Sequence, residues 1–172
     1  MIKLFLSICI LSFSLFANNS KCDVDSSILK IIAEAERHHK KEIGYQYLIS
    51  FNNKKDAKLA KTQIGKNVFL DSRTIDCKNK QLCKKITNFL IEQKITNLDL
   101  GAFQINYKFH KMEIEDYFLF EKSYLKACAY ISKLIRNHGY NWRTIAMYHS
   151  ATPKYNYRYL KKISRLTIKK GE

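Results

Sequence analysis

Five glycines and one proline punctuate 172 residues, and that scarcity limits what the chain can fold into more than any motif does. All-β sandwiches and barrels need many tight turns, and glycine and proline supply the backbone conformations those turns demand. A chain so poor in both is expected to be mainly helical, with at most a small β element. Collagen-like and low-complexity classes are excluded at the same step, since 46% of the residues are hydrophobic and 27% charged.

The apolar spacing agrees. Ser26 to His39 reads as a helix, with Ile28, Leu29, Ile31, Ile32 and Ala35 on one face and Asp25 or Ser26 as its cap. Tyr45 to Phe51 alternates as a strand does, Lys66 to Leu70 offers a second, and Asn52-Asn53 and Gly65 punctuate the stretch. A small hairpin lobe is therefore expected over Tyr45 to Leu70, with the β-structure confined to it. Lys80 to Gln93 returns to helical spacing through Leu82, Ile86, Phe89 and Leu90. Tyr124, Cys128, Ile131, Leu134 and Ile135 form a later stripe that Gly139 ends, and Asn141 can cap a short helix from Trp142 to His149. Thr152-Pro153 opens a last helix through Lys169, with Tyr155, Tyr159, Ile163 and Leu166 facing inward. No linker, repeat or shift of composition divides residues 18–172. They read as one mainly α (α+β) domain, two helical parts around a small lobe.

Lys3 precedes an apolar run from Leu4 to Phe16, followed by Ala17-Asn18-Asn19-Ser20. A cationic start, a short apolar core and a small residue read as a secretory signal peptide over residues 1–17, since a bilayer span needs about 20 apolar residues. The expected location is periplasmic. Four cysteines then remain, and an even number in an exported chain suggests two disulfides in one of three connectivities. Cys77 and Cys83 are close enough for a local clip, and Cys22 with Cys128 would tie the N-terminus to a late helix. A zinc site is the weaker reading, because there is no CxxC and no histidine at ligand spacing.

The formal net charge is +16, and 25 of the 31 cations are lysine. Such a surface favours polyanions: nucleic acid, anionic lipid or an acidic wall polymer. No nucleic-acid reading motif accompanies the charge, and export removes the chain from the cytoplasm, so nucleic acid is not expected as a partner.

Two stretches carry polar chemistry. Glu36 sits late on the first helix beside its apolar face, while Glu34 points in another direction. Asp99-Leu100-Gly101-Ala102-Phe103-Gln104-Ile105-Asn106 combines an acid, a glycine that permits close backbone approach, and two amides suited to sugar substituents. His38, His39, His110, His138 and His149 form no HExxH or other metal pattern. No metal and no cofactor is expected. His149 reads as a hydrogen-bonder at a helix C-terminus.

Asp99 to Asn106 is similar to the D-x-G-x-x-Q-I-N signature of the lysozyme-like superfamily. It most resembles the lytic transglycosylases associated with type IV secretion. Three further stretches resemble the family in order. Ile31 to Glu36 resembles the helix whose final turn carries the catalytic Glu. His138-Gly139-Tyr140-Asn141-Trp142 resembles the turn before the third motif. Ala146-Met147-Tyr148-His149-Ser150-Ala151-Thr152-Pro153, with Tyr159 beyond it, resembles A-x-Y-H-S-x-T-P and its later Tyr. The family usually follows its Glu with Ser, where Arg37 stands here.

The resemblance implies a lysozyme-like fold with a substrate groove, acting on peptidoglycan glycan strands as a single chain, in one setting beside a secretion or envelope-spanning assembly. It implies Glu36 as general acid and then base, Gln104, Asn106, Tyr148 and Tyr159 as substrate-side residues, and Asp99 as the second carboxylate of a hydrolytic variant. A proton must reach the leaving glycosidic oxygen, and a carboxylic acid at an apolar helix face can supply it. A lytic transglycosylase then closes a 1,6-anhydro ring with the muramyl 6-hydroxyl and needs no protein nucleophile. A retaining hydrolase needs a second carboxylate about 5–5.5 Å away. A catalytically inactive wall-binding relative is the nonenzymatic alternative.

Overall fold

The structure is a computed structural model and describes residues 21–168. The leader over residues 1–17, cleavage after Ala17 and the end of the last helix near Lys169 lie outside the described residues. Among the described residues no helix is long and apolar enough to cross a membrane.

The described residues form six α-helices and four strands. They run α1 (Ser26–Glu36), β1 (Leu48–Phe51), α2 (Lys54–Ile64), β2 (Thr74–Asp76), α3 (Lys80–Glu92), β3 (Leu98–Leu100), β4 (Ile105–Asn106), α4 (Phe120–His138), α5 (Trp142–Ala146) and α6 (Pro153–Ile168). The strands form one antiparallel sheet in the order β2-β1-β3-β4. Ile49 sits at its centre, opposite Ile75 on one side and Leu100 on the other. The class is α+β. Helices α1, α4, α5 and α6 pack together, whereas α2 and α3 pack on β1.

The core forms where these groups meet. Leu29 and Ile32 of α1, Ile49 and Phe51 of β1, Leu98 and Leu100 of β3, and Ile131 of α4 are all almost wholly buried. Burying side chains of this size contributes roughly 1.5–3 kcal/mol each. Two disulfides close over the core, Cys22–Cys128 and Cys77–Cys83, with Cα separations of 5.8 and 5.1 Å.

Helix α1 starts as the sequence predicts, with the Asp25 carboxylate accepting from the Ser27 amide at 2.8 Å. It stops at Glu36, three residues before the expected His39. Arg37 turns extended, and the segment after it is tied to the edge of the sheet. Lys40 Nζ donates to the Leu70 carbonyl at 2.9 Å, and Lys41 Nζ pairs with buried Asp76 at 2.7 Å. Glu36 is thereby left at the helix end.

The expected hairpin lobe over Tyr45 to Leu70 is replaced by a helix and a wider sheet. Asn53 caps α2 by accepting from the Lys55 amide at 2.8 Å, and Gly65 (φ 97°) ends it. Of the residues expected to punctuate turns, Asn53 and Gly65 are therefore helix caps. Lys66 to Leu70 is not a strand: Lys66–Val68 is a 3₁₀ turn, and β1 pairs instead with Thr74–Asp76. Two more strands, β3 and β4, come from the segment that carries Asp99 and Asn106. Downstream, Gly139 (φ 76°) ends α4, and the Asn141 side chain accepts from the Thr144 amide at 2.8 Å to start α5. Helix α5 closes at Ala146 rather than His149. On α6, Tyr159 and Ile163 are buried as expected, but Tyr155 is 50% exposed because its turn lines an open cleft instead of the core.

Candidate active site

A cleft of about 700 Å³ opens between the sheet and the helical group. Glu36, Asn52, Asp99, Gln104, Asn106, Tyr148 and His149 all line it, so α1, the sheet and the segment after α5 each contribute a wall. Phe109, 69% exposed, and Tyr155 stand on its lining as apolar surfaces open to solvent. Arg73 and Lys126 add positive charge.

Glu36 enters from the last turn of α1. Its side chain is 12% exposed, and its Oε1 atom is buried without a hydrogen-bond partner. Arg37, the next residue, directs its guanidinium to the Lys41 carbonyl at 3.0 Å. The end of α1 is fastened from α6, where Lys162 Nζ donates to the Ala35 carbonyl. The Tyr159 hydroxyl is also buried without closing an ordinary hydrogen bond. Burial first, and then the Glu36 charge, push that hydroxyl well above the usual phenol range.

Asp99 sits on β3, one position from the turn into β4. Its Oδ2 accepts from Asn52 Nδ2 at 2.8 Å and its Oδ1 from Asn106 Nδ2 at 2.7 Å. Burial pushes the Asp99 carboxyl up to about 6, with the Glu36 charge adding to the rise and the two amides opposing it. Both oxygens are thus held by amides while the acid stays in the cleft.

The amides expected on the substrate side are largely occupied by the protein. Gln104 Nε2 donates to the Gly101 carbonyl at 2.8 Å, closing its own turn with a positive φ of 46° at Gln104. Asn106 donates to Asn97 and Asp99 and accepts from the Lys108 amide at 3.0 Å. It positions Asp99 in the cleft. The Tyr148 hydroxyl donates to the Phe103 carbonyl at 2.8 Å, which joins the segment after α5 to the β3–β4 turn. Tyr159 forms the floor beneath Glu36 rather than a cleft wall.

His149 is the residue that sequence reasoning missed. It was expected to bond a helix end, yet its Nδ1 lies 3.7 Å from Glu36 Oε1 and its ring stacks on Tyr159 at 4.8 Å and 6°. The interaction with Glu36 is the main cause of a raised imidazole pKa. Asn52 was also missed, having been read as turn punctuation. The signal for His149 is its place next to Tyr148, inside the stretch from Ala146 to Pro153. Among the described residues no group of three His, Cys, Asp or Glu side chains could hold a metal ion.

Compared with known proteins, the chain matches no family model, no curated protein and no solved structure.

Proposed function

We propose that the chain is a peptidoglycan-cleaving lytic transglycosylase with a lysozyme-like fold, exported to the periplasm. The observation that carries the reading is the placement of Glu36: a mostly buried carboxyl at a helix end, with one oxygen that makes no hydrogen bond, facing a cleft that also holds Asp99. Glu36 protonates the glycosidic oxygen as the bond from C1 of N-acetylmuramic acid breaks. The muramyl 6-hydroxyl then attacks C1, its proton passes to the Glu36 carboxylate, and a 1,6-anhydro end remains. One carboxyl serves as acid and then as base. The cleft suits an extended polar polymer, since exposed aromatic faces such as Phe109 and Tyr155 can pack against sugar rings. The positive charge of the whole chain suits an acidic wall.

Asp99 gives the hydrolytic alternative its one supporting observation, because it shares the cleft with Glu36 and responds to its charge. A carboxylate that attacks C1 or stabilises charge there must turn an oxygen to the sugar, however. Asp99 has an amide on each oxygen, which fits a positioning role better.

Digestion of purified peptidoglycan with the mature protein, followed by mass spectrometry, tests the reading. Products lighter by one water than reducing-end muropeptides are expected. Ordinary reducing ends would establish a muramidase, and no release from several wall preparations would establish the inactive wall binder.

A further inference from the structure

The proton that Glu36 gives away has to be present in the cleft at neutral pH, and one neighbour is placed to hold it. His149 Nδ1 lies 3.7 Å from Glu36 Oε1, the oxygen that has no hydrogen-bond partner. The ring lies parallel to Tyr159 at 4.8 Å, and the His149 backbone amide donates to the Ala146 carbonyl at 3.3 Å. Contacts between catalytic groups are often long in the free protein and tighten around substrate. We propose that His149 shares a single proton with Glu36 and stores it on Nδ1 between turnovers, an inference that rests on Glu36 being the proton donor.

The step balances. The imidazolium passes its Nδ1 proton to Glu36 Oε1, leaving a neutral imidazole and a carboxylic acid. The acid protonates the departing glycosidic oxygen, the 6-hydroxyl returns a proton to the carboxylate as the C1–O6 bond forms, and that proton passes back from Oε1 to Nδ1, which restores the starting pair. His149 acts through Glu36 and is therefore a positioning residue, not a catalytic one. The charges facing it are Glu36 from α1, Asp99 from β3 and Lys162 from α6; the first two favour the imidazolium and Lys162 opposes it. The balance favours the imidazolium, so the pair keeps its proton to a higher pH than an isolated histidine would. In this chain the family's Ser after the Glu is Arg37, whose side chain is engaged elsewhere, so the polar neighbour of Glu36 comes from the other side of the cleft.

Two measurements on the mature protein test the proposal. NMR titration of the imidazole, assigned by its absence in H149Q, should give a His149 midpoint above that of an ordinary imidazole, and the midpoint should fall in E36Q. The rate of muropeptide release by H149Q, relative to the wild type, should fall about tenfold more at pH 7.5 than at pH 5. A His149 midpoint that E36Q does not move overturns the shared proton, and so does an equal loss of rate at both pH values, which a merely structural role would give. If the wild type releases no fragments, the glycan-cleavage reading falls, and the NMR midpoint alone then decides whether the pair holds a common proton.

Discussion

At the scale of single residues, Asp99 makes the most definite claim. Its carboxyl is pushed up to about 6 from an ordinary 3.8, so the native state binds that proton more tightly than the unfolded chain does. Native stability therefore falls as pH rises from about 4 through about 6, and the loss is complete above that range. D99N removes it. Asn106 keeps its bond to the retained oxygen, and the Asn52 amide can turn over to accept from the new amide group. D99N should thus be more stable than the wild type at pH 7 by order 1–3 kcal/mol, with the advantage shrinking near pH 4. Urea denaturation at both pH values measures this, and an advantage that is largest at pH 4 would contradict it. Turnover by D99N should stay measurable, because the 6-hydroxyl replaces a protein nucleophile. The sequence made Glu36, Asp99, Gln104, Asn106 and Tyr148 legible as cleft residues, and all five line it. It did not make legible which amides spend their hydrogen bonds within the protein, since that depends on the turn geometry around Gln104 and on Asn52, far away in the chain.

Among the elements, the β3–β4 turn is where backbone geometry matters most. Gly101 holds a φ of +75°, and a Cβ there would run into the Tyr117 carbonyl oxygen. G101A should cost about 3 kcal/mol or more, through both the left-handed backbone and the clash. G65A is the internal comparison: its φ of +97° is strained, but a Cβ there meets nothing within 4 Å, so its cost should stay near 1–2 kcal/mol. Melting curves that rank the two the other way would refute the close approach at Gly101. Helices α1, α3, α4 and α6 were legible because each carries an apolar stripe at helical spacing. Helix α2 was not, because only Ala57 and Ala60 of its eleven residues are buried, too faint a stripe to read. Strands β2, β3 and β4 have two or three residues each, so alternation has no length over which to show itself. Sheet pairing alone defines them.

For the whole molecule, the disulfides set a testable hierarchy. Cys22–Cys128 spans 106 residues and Cys77–Cys83 only six. On loop-closure entropy the first stabilises by roughly 5 kcal/mol and the second by roughly 2. The C22S/C128S double variant should therefore melt well below C77S/C83S, and the reverse order would point to burial of the small clip as the larger contribution. The pairing itself was one of three that the cysteine count permits, and the α+β class was legible from the shortage of glycine and proline. Assembly of the cleft was not, because it depends on α1, the sheet and the segment after α5 meeting across more than a hundred residues of chain. Everything in the account depends on Glu36, so the most direct test compares E36Q with the wild type on the same peptidoglycan. Glutamine keeps the shape of the side chain but can neither give nor retake a carboxyl proton. The account predicts unchanged melting with muropeptide release lost by about a thousandfold or more, and E36Q releasing fragments within a few-fold of the wild type would contradict it.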